Sequence, residues 1–191
     1  MEISVDASTL AFFYQILVDL YRTTDDPITL GYSKGMLEVC AERPLTGIYQ
    51  FIPFPHLYHK ATVLMETIIR FHPFADGNKR VSLLATYFFL YWNGYDLFLP
   101  EDADKFTVEI AKGTHDLNSI LSWLWQHSTM TFYGVLRNKL CSTYLRIGER
   151  FSPIAEIISI FVIPVFFTTY PLNFFSYHIA KKRRSHSKDS V

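Results

Sequence analysis

The chain has 191 residues, with 18 Lys and Arg against 18 Asp and Glu and a formal net charge of zero. That length holds one domain with a real core plus an appendage, and the charge balance removes any global electrostatic case for nucleic-acid binding, so no direct binding is expected. Hydrophobic residues make up 49% of the chain and aromatic residues 17%, and the surplus sits near the C-terminus, so the two ends need separate readings. Cys40 and Cys141 lie far apart, form neither a CxxC pair nor a zinc spacing, and read as reduced thiols of a cytosolic protein. The N-terminal "MEISVDASTLAFFYQ" has no basic segment followed by an apolar run, so no signal peptide is expected there.

From Ser8 to Arg22 apolar residues recur at helical spacing (Leu10, Phe13, Ile16, Leu17, Leu20, Tyr21), with Asp6 or Ser8 as the cap. The turn-rich "TTDDPITLGYSKG" breaks that pattern. A short helix over Gly35 to Glu42 ends at the Arg43-Pro44 step. "LTGIYQFIPFP" combines β-branched and aromatic residues between prolines and reads as a short extended flap. From His56 to Phe71 a wide apolar stripe (Ala61, Leu64, Met65, Ile68, Ile69) predicts a helix. A second one, from Asn78 to Trp92, is almost wholly apolar after its first turn and ends at Asn93-Gly94. Amphipathic helices fit Glu101–Lys112 and Leu117–His127, which makes an all-α domain over residues 1–128.

The chemistry is concentrated between the two long helices, in "HPFADGNKR", His72 to Arg80. Gly77 allows a positive φ or the close approach of a ligand. The first-turn amides of the next helix point into the loop and make a ready anion site. Lys79 and Arg80 put two cations at a helix N-terminus, against the macrodipole, so stability gives no reason for them. A bound polyphosphate removes that conflict. Asp76 is a hard oxygen ligand suited to Mg²⁺ bridging phosphate oxygens. His72 carries an imidazole, the side chain suited to taking a proton from an attacking hydroxyl at neutral pH. Phe74 is the expected buried anchor. A lone histidine or Lys-Arg pair would read as an ordinary interhelix loop; the ordered string supplies a base, a metal ligand and a phosphate cradle together, the parts of phosphoryl or nucleotidyl transfer.

That string resembles the signature of the Fic/Doc superfamily, His-x-Phe-x-Asp/Glu-Gly-Asn-Gly/Lys-Arg. "GYSKGMLEVCAERPLTG", "LLATYFFLYWNGYDL" and "VEIAKGTHDLNSILSWLWQHS" are similar to the death-on-curing (Doc) branch, and the resemblance covers about Leu10 to Ser128. It implies a Fic-fold helical bundle with the motif loop between two core helices. It implies His72 as the catalytic base toward a Ser, Thr or Tyr hydroxyl of a target protein, Asp76 as the Mg²⁺ ligand, and Gly77, Asn78, Lys79 and Arg80 as the ATP phosphate nest. "GIYQFIP" would align the target peptide by strand addition. The branch also implies a toxin silenced by a separate antitoxin protein.

Two positions bear on the reaction. AMP-transferring Fic enzymes typically carry Gly at the place of Lys79 and a second Arg at the place of Leu83. The spelling here resembles Doc proteins, which transfer phosphate, although Gly77 is the Fic spelling where the founding Doc type has Ala. The expected reaction is phosphate transfer, with AMP transfer as the alternative. Inhibitory Ser/Thr-x-x-x-Glu patterns are half-matched at Thr62…Glu66 and Ser152…Glu156, but neither is followed by Gly or Asn, so self-inhibition is not expected. His56, His59 and His115 lack a third close partner for a metal site and read as rim or core residues, as Trp92, Trp123 and Trp125 read as packing.

Residues 129–180 form a hydrophobic C-terminal extension, and 157–180 contains no charged residue. That stretch is long enough to cross a hydrocarbon core. It reads either as a membrane-associated segment beside a cytoplasmic catalytic domain or as an extension packed on the core or on a second subunit. Pro164 and Pro171 suit a re-entrant or interfacial course, because a single span would place "KKRR" on the outer side, against the positive-inside tendency. Residues 181–191 form a basic tail expected to be disordered.

Overall fold

Two helices with apolar residues on nearly every side must be surrounded by others, and that requirement organises this protein. The computed structural model describes residues 2–22, 27–46 and 54–150. The first helix, α1 (Ala7–Tyr21), starts where Asp6 accepts hydrogen bonds from the Thr9 amide (2.7 Å) and the Ser8 hydroxyl (2.8 Å). It buries Leu10, Phe13, Tyr14, Leu17 and Val18. The next, α2 (Lys34–Glu42), ends at Arg43, immediately before Pro44.

The central pair is α3 (Leu57–Phe71) and α4 (Asn78–Trp92). Residues 61–69 of α3 and 81–91 of α4 are all buried. They pack on each other, with α1 and α2 on one flank. After α4 come β1 (Tyr95–Leu97), α5 (Ala103–Lys112), α6 (Leu117–Gln126), β2 (Ser128–Met130) and α7 (Phe132–Arg150). Helices α5 and α6 pack on α3, completing the mostly helical bundle that the apolar periodicity predicts. The two short strands pair antiparallel, Tyr95 opposite Met130 and Leu97 opposite Ser128. Neither this ribbon nor α7 is signalled by the sequence pattern.

The chain divides into two compact units, Met1–Asn138 and Lys139–Val191. Residues beyond Ser128 are tied into the first unit by a buried polar cluster. Arg137 donates to Asp96 (2.9 Å) and to the Tyr91 carbonyl (2.8 Å), and Asn138 donates to the Trp92 carbonyl (2.8 Å). The expected flap over residues 47–53, the stretch 157–180, the tail 181–191 and the Ser152…Glu156 pair lie outside the described residues. Among the described residues, no helix is long and apolar enough to cross a membrane.

Candidate active site

The loop between α3 and α4 is built from two left-handed residues. His72 ends α3 at φ 49, ψ 57, a conformation uncommon for a residue with a side chain and one that turns the chain off the helix axis. Gly77 opens α4 at φ 76, ψ 9. A Cβ there would meet only the Ile28 side chain at 3.4 Å, ordinary contact, so the backbone angle rather than space requires glycine.

Between these turns the loop is fastened on three sides. The segment before α2 runs alongside it: the Ser33 amide donates to the Pro73 carbonyl (2.9 Å) and the Ala75 amide to the Gly31 carbonyl (2.8 Å), flanking a bridge of Tyr32 with Phe74. Phe74, 2% exposed, stacks on Tyr14 with centroids 4.4 Å apart and meets Tyr32 edge-on. The Tyr14 hydroxyl donates to the Thr29 carbonyl and accepts from the Gly31 amide (3.1 Å). Burial raises the pKa of that hydroxyl, and the nearby Asp76 charge pushes in the same direction, so it stays a donor.

The third fastening is Asn78. Its Oδ1 accepts the Phe74 amide (3.0 Å) and its Nδ2 donates to the Phe74 carbonyl (2.8 Å). The Asn78 side chain therefore faces inward and braces the loop. The buried peptide group of Phe74 needs both partners, and Asn78 supplies them.

What remains outward is the chemistry. His72 is exposed, and among the described residues its imidazole has no hydrogen-bond partner. Asp76 is half-buried and accepts the Gly77 amide (2.5 Å). No side chain caps α4, so its opening amides are left for solvent or a ligand. Lys79 is exposed, and the Arg80 guanidinium lies 4.4 Å over the Tyr21 ring. Leu83 is fully buried one turn further on.

His72, Asp76, Gly77, Lys79 and Arg80 thus meet at one loop–helix junction, with Phe74 beneath. Tyr14, Tyr32 and Ile28, which hold the loop from below, carry no motif and read in sequence only as apolar or turn residues. His56 and His59 have ring centroids 5.5 Å apart, and His115 pairs with Glu109 (2.8 Å). Among the described residues no group of three His, Cys, Asp or Glu side chains is placed to hold a metal. A groove of about 420 Å³ between α5 and α6, floored by Phe106 and Trp123, contains none of the motif residues.

Residues 5–90 match the Fic/DOC family. Toxin Doc of Mycolicibacterium smegmatis is 34% identical over 93 residues, which is 47% of this chain and 72% of that protein. The chain belongs to the Fic/DOC family, and its likeness to that toxin places it in the Doc branch.

Proposed function

We propose that the protein transfers phosphate from ATP to a Ser, Thr or Tyr hydroxyl of a target protein, as the toxin of a toxin–antitoxin pair acting in the cytoplasm. The carrying observation is the junction itself: an exposed His72 beside an uncapped helix start that holds Lys79 and Arg80 against its own dipole. The exposed Lys79 charge opposes the helix dipole, and a bound anion would offset that opposition.

Asp76 suits Mg²⁺, an ion that usually takes one or two protein carboxylates and completes its shell with water and phosphate oxygens. Asp76 would hold such an ion, which when bound would supply neutralisation of the phosphoryl charge. His72 accepts the proton of the target hydroxyl while the hydroxyl oxygen bonds to the γ-phosphorus, and the bond from that phosphorus to the ADP oxygen breaks. Lys79, Arg80 and the opening amides of α4 hold the phosphates in line. Phe74 and Asn78 keep the loop in the shape that puts His72 at the rim.

AMP transfer is the second reading, since it needs the same groups with the nucleotide reversed. Lys79 and the apolar, fully buried Leu83 favour phosphate transfer, because no second arginine is available on that face of α4. The deciding experiment incubates the protein and a lysate with α-labelled or γ-labelled ATP. Label on a target protein from γ alone supports phosphate transfer, and label from α supports AMP transfer. Equal results for wild type and His72→Ala would refute both.

Membrane attachment through 157–180 remains part of the proposal and is tested by fractionating the full-length protein. The partner predicted to silence the protein, an antitoxin, is expected to co-purify when the two are expressed together.

A further inference from the structure

We infer that Glu66 and Arg70 are positioning residues for His72, acting through a clamp that joins three elements. Glu66 lies in α3, six residues before His72. One of its carboxylate oxygens, Oε2, accepts from Arg43 at the end of α2 (2.7 Å), and the other, Oε1, from Arg70 in the last turn of α3 (3.0 Å). Arg43 also donates to the Thr67 hydroxyl (2.7 Å). Arg70 reaches on with its Nη2 to the carbonyl of His115 in the loop between α5 and α6 (3.1 Å). The Glu66 side chain is only 11% exposed, so this pairing is screened less than a surface ion pair.

The consequence for His72 follows from what its ring lacks. With no partner for the imidazole among the described residues, the backbone alone decides where the ring stands. That backbone is a left-handed turn directly after the last turn of α3. On the far side it is held by the Pro73 carbonyl and the Ala75 amide against residues 31–33. On the near side Arg70, two residues away, ties the last turn of α3 to the loop before α6, and the Phe71 ring lies 5.3 Å from the Arg43 guanidinium at the end of α2. The Arg70 fork spans both Glu66 and His115 from two separate nitrogens, an arrangement that the single nitrogen of lysine cannot reproduce. Small displacements of a base from its target are costly for transfer, whereas nucleotide held by α4 need not notice them.

This inference rests on reading His72 as the base, and the test separates the two. Full-length Glu66→Gln and Arg70→Lys are compared with wild type, with Lys60→Ala as a control that breaks a different α3 ion pair, to Glu2 (2.7 Å). Calorimetry with ATP and Mg²⁺ counts nucleotide-binding sites, and γ- or α-label transferred to lysate protein is divided by that count. Both clamp variants are expected to lose about tenfold in transfer per bound site with nucleotide affinity unchanged, as a displaced base would. Hydrogen exchange at the Phe74 and Ala75 amides should accelerate by about tenfold in Glu66→Gln and stay unchanged in Lys60→Ala. Transfer per bound site equal to wild type overturns the inference, as does a loss matched by fewer binding sites. If wild type transfers no label, the proposed function fails, and exchange still decides the clamp: unchanged Phe74 and Ala75 amides sink it.

Discussion

Asn78 closes a two-bond ring on the backbone of Phe74, accepting its amide at 3.0 Å and donating to its carbonyl at 2.8 Å. The first residue of α4 thereby fixes the middle of the loop that carries His72. Replacing it with alanine strands two buried polar groups. Asn78→Ala is expected to lower unfolding free energy by about 1–3 kcal/mol in urea titration and to reduce label transfer further than stability alone explains. A loss below about 0.5 kcal/mol would show that the ring is dispensable.

Gly77→Ala isolates backbone strain, because its new methyl meets only ordinary contact with Ile28. The cost should be about 1–2 kcal/mol, read as a lower melting temperature, since a φ of 76 suits glycine best and penalises a Cβ. Gly77→Asn should cost less than Gly77→Ala, because asparagine tolerates that region better. The reverse order would point to a steric rather than a torsional role.

Lys79 is the exposed cation of the proposed phosphate cradle. Lys79→Met should weaken ATP–Mg²⁺ binding several-fold by calorimetry at low salt, and the difference from wild type should shrink as salt rises. Protein stability should stay level or increase slightly, because a charge opposed to the helix dipole is removed. Unchanged affinity at low salt would exclude Lys79 from the phosphate site.

Arg137 and Asp96 form a buried ion pair, 8% and 6% exposed, with the guanidinium stacked 3.4 Å from the Tyr91 ring centroid. Arg137→Met leaves Asp96 without its counter-charge and should cost about 3–5 kcal/mol in urea unfolding. Arg137→Met combined with Asp96→Leu should recover much of that loss. A double variant as unstable as the single one would mean that the stacked packing of Arg137, rather than the pairing, holds the start of α7.

Cys40 is fully buried in α2, and burial pushes its thiol up to about 11, against the opposing pull of Arg43. An unfolded thiol titrates near 8.5, so above that pH the unfolded chain releases a proton that the folded chain keeps. Stability is therefore full below about pH 8.5 and falls as pH climbs toward 11. Cys40→Ala should flatten that decline in urea midpoints measured from pH 8 to 10.5. In the folded protein Cys40 should react with thiol reagents only slowly at neutral pH.

The legible parts of the molecule were those governed by short-range rules. Asp6 caps α1 because a carboxylate can reach an amide three residues on, and α2 stops at Arg43 because Pro44 follows. Apolar spacing predicted α3 and α4, with α4 observed over the same bounds, Asn78–Trp92. The ordered string from His72 to Arg80 was visible because its residues are neighbours in the chain. The ribbon of β1 and β2 has no local signal because its strands lie more than thirty positions apart and each is three residues long. The start of α7 was hidden because it depends on distant partners, among them Asp96 and the Tyr91 and Trp92 carbonyls.

At the site the division is the same. Local sequence by itself determined that an imidazole, a carboxylate, a glycine and two cations stand together where one core helix ends and the next begins, because nine consecutive residues have little freedom to separate them. Only the tertiary structure decided which of them face outward. Asn78 turns in because the Phe74 peptide group, buried against Tyr14, has no water to bond and must find its partners inside the protein. His72 is left facing out, on a turn whose near side is held by Glu66, Arg70 and the His115 carbonyl, contacts spanning up to 45 positions of sequence that no local pattern encodes.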